Sequence, residues 1–511
     1  MSPTTQGELV INPEVGFRLL PHYVVDVGNG MIQDSTMQET PEKTPKPSRR
    51  TFAKTAAASA FGFQFVPSHV WGANERVTFG GIGTGGKGTA DIGGAAGAGM
   101  QCVALVDIVD AEKYSQAEEG GNVKSRIDSI SQARELYPDA KFYTDYREMI
   151  ADMDDKIDAV TVSTPDHHHF HATLQAMQAG KHVYCQKPLT HSIWEARVLT
   201  KVAEETGVKT QMGNQAHAND HMRRVVELVQ AGALGKIKQV HAWTNRPIWP
   251  QGFSEYPEKQ EVPLGLDWDQ WIGPAEWIDY SPQIAPFKWR GWWNFGTGAL
   301  GDMACHIMDM PWWALDLGVP TSIKAQEYGG SDLSAPINSR IDYEFADQDI
   351  MLYWWDGQVG AEFDAENWQL IPGEFNRPPD SILEGIDYKR FGSIIIGEES
   401  KLYFDRKNDN WFMKPSNVLD GFDFPEPSIP RARDQDPYKE WLDAIEGKVE
   451  RGESDFSVAG PFSEMVLLGT LAQKVPGEKL VWDKEAMKVV DHPELDSSIR
   501  REYREGWEVD V

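Results

Sequence analysis

Between residues 77 and 212 short apolar runs alternate with longer segments of helical character. The apolar runs are 77–79, 102–106, 142–144, 158–163, 182–185 and 208–212. The helical segments are 89–99, 114–136, 146–151, 170–179 and 194–206, and several stop at Pro138, Gly180 or Gly207. Strands that read as continuous apolar runs are covered on both faces, and their alternation with helices predicts a doubly wound, mostly parallel sheet. The pattern changes after residue 213. A helix is predicted over 221–230 and a strand over 237–244, followed by a long stretch, 245–296, rich in proline, glycine and tryptophan. A loop of that length in a compact domain is usually functional. Gly298 to Leu315 reads as a helix perturbed at Pro311, and residues 436–445 and 461–473 as late helices.

The turn after the first strand carries the first chemical signal. Gly81, Gly83 and Gly86 have the G-x-G-x-x-G spacing, with Ile82 between the first two. Strand, glycine turn, helix, strand is the order of a dinucleotide-binding unit. In that reading Gly81 makes the tight turn, Gly83 lets backbone N–H groups approach a pyrophosphate, and Gly86 lets helix pack on strand. The positive end of the helix faces the phosphates. Asp107 closes the second strand, where a carboxylate can accept from ribose hydroxyls and would repel a 2′-phosphate. NAD is therefore expected rather than NADP. Three more strand-end segments fall on the same edge: Ser163-Thr164-Pro165, Gln186-Lys187 and Gly213-Asn214 join the glycine turn and Asp107 there. Open α/β sheets bind their ligands at the carboxyl ends of the strands.

Composition narrows the partners. The 511 residues carry a formal net charge of −29, which argues against nucleic acid or an anionic membrane surface. Three dispersed cysteines, Cys102, Cys185 and Cys305, give neither a disulfide framework nor a zinc spacing. The run Asp166-His-His-His-Phe-His171 places His167 and His171 four apart on a helical face, but lacks an accompanying H-E-x-x-H pattern, so no metal is expected. Tryptophan is abundant, at 19 residues. The cluster between Trp243 and Trp313 suits either stacking on sugar rings or simple core filling.

The chain divides, on this reading, into an irregular extension (1–47), a signal (48–73), a nucleotide domain (74–213), an α+β domain (214–480) and a charged tail packed on the surface (481–511). The signal reading rests on Arg49, Arg50 and Phe52 ahead of a weakly apolar run, the pattern of twin-arginine export, and implies a periplasmic protein. Met31 and Met37 are alternative starts.

The glycine turn, Thr164-Pro-Asp-His167, the run from Ala179 to Val183 leading to Lys187-Pro188, and Gly298 to His306 together resemble the glucose–fructose oxidoreductase and inositol dehydrogenase (Gfo/Idh/MocA) family. The resemblance covers residues 75–507. Gln186 departs from the family's acid-Lys-Pro motif by replacing its Glu. The resemblance implies a second domain built on an open, largely antiparallel sheet, with strands such as 322–328, 339–345, 351–355, 393–397 and 401–404, whose outer face serves a dimer or tetramer. It also implies an NAD(P) cofactor, held tightly if the protein is exported folded, a sugar or cyclitol substrate, and a catalytic group of Lys187, Asp302 and His306. The cofactor would lie on Gly81, Ile82, Gly83, Gly86, Asp107, Ser163, Thr164, Pro165, His167, Gln186 and Lys187. Asn214, Arg290, Trp292, Trp293, Asp302 and His306 are the candidate substrate contacts. Spacing alone puts Asp302 and His306 on one helix face, with Asp302 expected in the first turn. Two other readings share the fold: a redox-assisted glycosidase or lyase that uses NAD transiently, and a nucleotide-binding protein without turnover.

Overall fold

The computed structural model describes residues 76–114, 121–386, 391–405 and 410–511. The extension and the twin-arginine stretch lie outside the described residues.

The first half follows the predicted alternation. It comprises β1 (Thr78–Ile82), α1 (Lys87–Ala98), β2 (Gln101–Val106), α2 (Gly121–Leu136), β3 (Lys141–Tyr143), α3 (Tyr146–Asp152), β4 (Ala159–Val162), α4 (Asp166–Gln178), β5 (His182–Cys185), α5 (Ile193–Thr206) and β6 (Thr210–Met212). Among the described residues these strands form a six-stranded sheet in the order β3-β2-β1-β4-β5-β6, and every pairing is parallel. Every residue of β4 is buried, as a strand covered on both faces requires. The order reverses beside β1, the position at which open α/β sheets hold their ligands. Helix starts are fixed locally. Asp145 accepts from the Arg147 N–H at the start of α3, and Glu195 Oε2 accepts from the Ser192 N–H at the start of α5.

The second half continues with α6 (Asp220–Gln230), β7 (Ile237–Trp243), α7 (Trp268–Ile272), α8 (Gly298–Ile307) and α9 (Asp309–Leu315). The predicted single helix over 298–315 is thus two, divided at Met308, and Pro311 falls in the first turn of α9, where its missing N–H costs nothing. Then come β8 (Ser322–Tyr328), β9 (Asn338–Phe345), β10 (Ile350–Val359), β11 (Glu362–Asp364), β12 (Gln369–Ile371), β13 (Glu374–Phe375), α10 (Asp380–Leu383), β14 (Gly392–Gly397), β15 (Lys401–Asp405) and β16 (Asn410–Lys414). The chain closes with α11 (Pro437–Ile445), α12 (Phe456–Lys474), β17 (Lys479–Asp483), β18 (Lys488–Val489) and α13 (Asp496–Ile499).

The large sheet runs β16-β15-β14-β7-β10-β9-β8-β17-β18, with β13 on β10. It is antiparallel except where β7 and β10 pair in parallel. Burial alternates strictly along β9, so one face is core and the other open. The core face packs on α8 and α12. α12 is apolar nearly all round because it lies between this sheet and α5 of the nucleotide domain. One core cluster therefore runs from Val162 and Leu199 through Met465 and Leu468 to Ile341 and Trp354.

The tail packs on the rest of the chain at fixed points. β17 pairs with β8, and Trp507 is buried against His168, His171 and Tyr146. Among the described residues no helix is long and apolar enough to cross a membrane.

Candidate active site

The loop between β1 and α1 forms one wall of the site. Gly83 adopts φ +79°, and a Cβ there would lie 2.8 Å from the Ser163 carbonyl, so only glycine fits between the two loops. Gly81 does not make the turn, because it lies inside β1. Its missing side chain admits Ile92 of α1, whose Cδ1 would stand 2.5 Å from a Cβ. The helix-packing role expected of Gly86 thus belongs to Gly81, while Gly86 (φ +61°) is the N-cap of α1 and donates its N–H to Ser129 Oγ.

Asp107 sits at the end of β2 as expected, but its carboxylate is partly used at home. Oδ2 accepts from the N–H groups of Thr84 (2.9 Å) and Gly85 (3.0 Å), and Oδ1 from Val109. Asp107 thereby stiffens the glycine turn and keeps its remaining lone pairs for a ligand. Burial pushes its carboxyl pKa up against these backbone donors.

The opposite wall comes from the loops after β4 and β5 and from α8. Lys187 Nζ donates to Asp302 Oδ1 at 2.8 Å and to the Asp302 carbonyl at 3.0 Å. Asp302 also lies 3.5 Å from Arg290 Nε. Arg290 in turn donates to both oxygens of the buried Asp166, which accepts from Thr297 Oγ1 as well. Burial opposes ionisation of Asp302, but Lys187 and Arg290 outweigh it and hold the carboxyl well below the ordinary range. His306 stands one turn further along α8. Asp302 is the fifth residue of α8, in the second turn rather than the first, so its ionisation rests on Lys187 and Arg290 more than on the helix end.

Both walls face one cavity of about 430 Å³. Ile82, Gly83, Asp107, Ser163, Thr164, Pro165, Gln186, Lys187, Arg290, Asp302 and His306 all line it, along with Trp271 and Trp289. The Arg290 guanidinium lies over the Trp289 ring, 4.3 Å from its centroid. The glycine cradle and an acid at the end of β2 fit a dinucleotide.

Besides Gly81 and Gly86, four expected contacts do not line the cavity. His167 is fully buried, its ring nitrogens at the Trp271 and Phe295 carbonyls, and His168 and His169 line the cavity instead. Asn214 is engaged by Asp309 and Ser454 below the sheet edge. Trp292 stacks on Phe253 with centroids 3.9 Å apart, and its Nε1 donates to the Gln283 carbonyl. Trp293 donates to the Ser331 carbonyl. The neighbouring Trp289 is the one of this group that reaches the cavity. Among the described residues no cluster of three or more His, Cys, Asp or Glu is gathered as if to hold a metal. Asp166 is the member of the site that sequence reading passed over. It resembles an ordinary acid in a first helical turn, and its partner lies 124 residues away.

A model of an oxidoreductase family with an NAD-binding Rossmann fold matches residues 78–214, and one of the same family's C-terminal α/β domain matches residues 218–364. An uncharacterized oxidoreductase of Schizosaccharomyces pombe is 31% identical over 116 residues, 23% of this chain and 31% of that protein. The NADP-type scyllo-inositol 2-dehydrogenase of Bacillus subtilis is 25% identical over 222 residues, 43% of this chain and 49% of that protein. The matched stretch thus spans 31% and 49% of these two relatives. The solved WlbA dehydrogenase of Bordetella pertussis, in complex with NADH and UDP-GlcNAcA, shares the fold with a TM-score of 0.53 at 18% identity, over 80% of this chain and 99% of that one.

Proposed function

The chain belongs to the Gfo/Idh/MocA oxidoreductase family, and we propose that it transfers a hydride between a hydroxyl-bearing carbon of a sugar or cyclitol and a nicotinamide nucleotide held in the cavity. The observation that carries this reading is the meeting of the glycine cradle with Lys187, Asp302 and His306 around a single cavity.

When bound, the nicotinamide ring supplies the two-electron acceptor or donor of hydride. The protein's own residues supply the rest. The side-chain-free turn at Gly83 and the positive end of α1 would hold the diphosphate. Lys187, fixed by two bonds to Asp302, holds the substrate hydroxyl oxygen and stabilises negative charge as it develops there. His306 takes the hydroxyl proton in oxidation and returns it in reduction. Arg290 keeps Asp302 ionised and Trp289 offers an aromatic face to the substrate ring. The carboxylate of Asp107 favours NAD over NADP.

The proposal extends to export by the twin-arginine route as a folded, nucleotide-loaded protein, resting on Arg49, Arg50 and Phe52, and to assembly through the open sheet face. Retention of a reporter fusion after Arg49→Lys with Arg50→Lys tests the first, and light scattering the second.

The deciding experiment is to purify the protein, identify its bound nucleotide by mass spectrometry, and follow nicotinamide absorbance across a library of sugars and cyclitols with Lys187→Ala as control. A redox change that some sugar elicits and Lys187→Ala abolishes supports the reading. A loaded protein whose nucleotide never changes redox state and releases no product contradicts it. Release of a free sugar without net reduced nucleotide would transfer the site to redox-neutral elimination.

A further inference from the structure

Behind the glycine loop lies a buried carboxylate that the mechanism does not use. Asp91, in the second turn of α1, has no exposed surface. Four side chains converge on it. Tyr438 donates to Oδ1 at 2.5 Å and Ser163 to Oδ2 at 2.6 Å, Gln186 Nε2 reaches both oxygens at 3.1 and 3.0 Å, and the Lys87 ammonium closes the group. Tyr438 comes from α11, late in the chain. Its ring occupies the space that a side chain at Gly94 would fill, because a Cβ there would stand 2.3 Å from the ring. The small residues of α1 thus serve to admit a distant tyrosine onto Asp91.

Gln186 and Ser163 both line the cavity, so Asp91 touches its wall through them. The carboxamide of Gln186 lies flat against Gly213, where a Cβ would be 2.5 Å from Nε2. A carboxylate accepts and never donates, so Asp91 selects the amide orientation: Nε2 faces inward and Oε1 is the atom left for the cavity. A glutamate at 186 would instead set two carboxylates about 3 Å apart in a buried place, where they cannot both ionise at low cost.

We infer that Asp91 is a positioning residue that orients Gln186 as a neutral acceptor toward the nucleotide, and that position 186 is a glutamine because the negative charge has been placed one layer deeper, on α1. The inference rests on the nucleotide reading of the cavity, but it makes a claim about stability that does not. Gln186→Glu, which on family grounds restores the acid, should harm this protein.

The test is a double-mutant cycle of Gln186→Glu, Asp91→Asn and the pair together, read by two measurements at neutral pH. Calorimetric titration with NAD(H) should show roughly tenfold weaker binding for Gln186→Glu and recovery toward wild type in the double variant, as expected when a like-charge pair is made and then relieved. Melting without nucleotide should show Gln186→Glu lowered by a few degrees and the double variant recovered. A like charge beside it raises the pKa of the introduced carboxyl, so its penalty is present at high pH and fades as pH falls and the group takes up a proton. Tyr438→Phe keeps the ring on Gly94 and loses only the donor, so its melting should fall less than that of Tyr438→Ala. Equal affinity and melting for Gln186→Glu and wild type, or a double variant whose losses simply add, would overturn the inference. If wild type binds neither NAD(H) nor NADP(H), the nucleotide reading fails, and the melting cycle alone decides whether Asp91 and Gln186 are coupled.

Discussion

Asp302→Asn removes one charge from the centre of the site and leaves the shape nearly unchanged. In the native protein Asp302 faces Lys187 at 2.8 Å, with side-chain exposures of 15% and 12%. Two opposite charges at that distance attract by about 6 kcal/mol at an effective dielectric near 20. Desolvation of both groups cancels part of this. Breaking a buried pair by removing one partner costs about 3–5 kcal/mol, because the other charge stays buried. The asparagine retains a side-chain acceptor for Lys187, and the Asp302 carbonyl still accepts at 3.0 Å, so about 3 kcal/mol of lost stability is expected near neutral pH. The carboxyl is held below its ordinary range in the folded state. Its contribution is therefore complete above the unfolded-state pKa near 4, and is lost as pH falls below that value. Denaturant titration of wild type and variant at pH 7 and again below pH 4 checks both statements: a gap of about 3 kcal/mol at the first pH, shrinking at the second. Turnover should fall about 10²–10⁴-fold, since Lys187 loses the negative charge that holds it in place. A variant within 1 kcal/mol of wild type at pH 7, or a gap that widens in acid, would refute the electrostatic account of this pair.

Gly83→Ala places a Cβ at φ +79° and 2.8 Å from the Ser163 carbonyl; it should cost at least about 1–2 kcal/mol in stability and weaken nucleotide binding, measured by melting and calorimetric titration. Asp107→Ala should shift the NADP-to-NAD affinity ratio about tenfold or more toward NADP by removing the repulsion of a 2′-phosphate, and an unmoved ratio in paired titrations would remove Asp107 from the specificity account. Trp292→Phe should lose about 1–2 kcal/mol by denaturant titration while leaving nucleotide affinity unchanged, because the ring stacks on Phe253 outside the cavity. Trp289→Ala, at the cavity wall, should instead lower kcat/KM for the sugar.

Much of this was legible along the chain because its causes are local or periodic. A parallel sheet needs strands apolar on both faces, and the six runs of the first half meet that need, from Val160 and Val162 to Val183 and Met212. Gly83 was readable because the turn and the approach of Ser163 leave room for nothing else. Lys187, Asp302 and His306 were found through the resemblance and through helical spacing. What failed was assignment within a correct region. Gly81 takes the packing role expected of Gly86, and Gly86 caps α1, because spacing does not say where β1 ends. Trp292 and Trp293 turn from the cavity while Trp289 meets it, since a loop without period does not reveal which ring faces inward. Asp302 pairs with Lys187, 115 residues away, and no local pattern encodes that partner. Asp91 was hidden for the same reason: its donors come from α1 and from loops and helices reaching to residue 438, and only the folded chain gathers them.

The account stands on one cavity serving both nucleotide and substrate chemistry. The most direct measurement is a crystal structure of the protein with its nicotinamide nucleotide bound. The account predicts the diphosphate over Gly83 and the start of α1, the adenosine ribose at Asp107, and the nicotinamide ring beside Lys187 and His306. A nucleotide seated elsewhere, or a ring turned away from Lys187 so that no substrate oxygen could reach both, would contradict it.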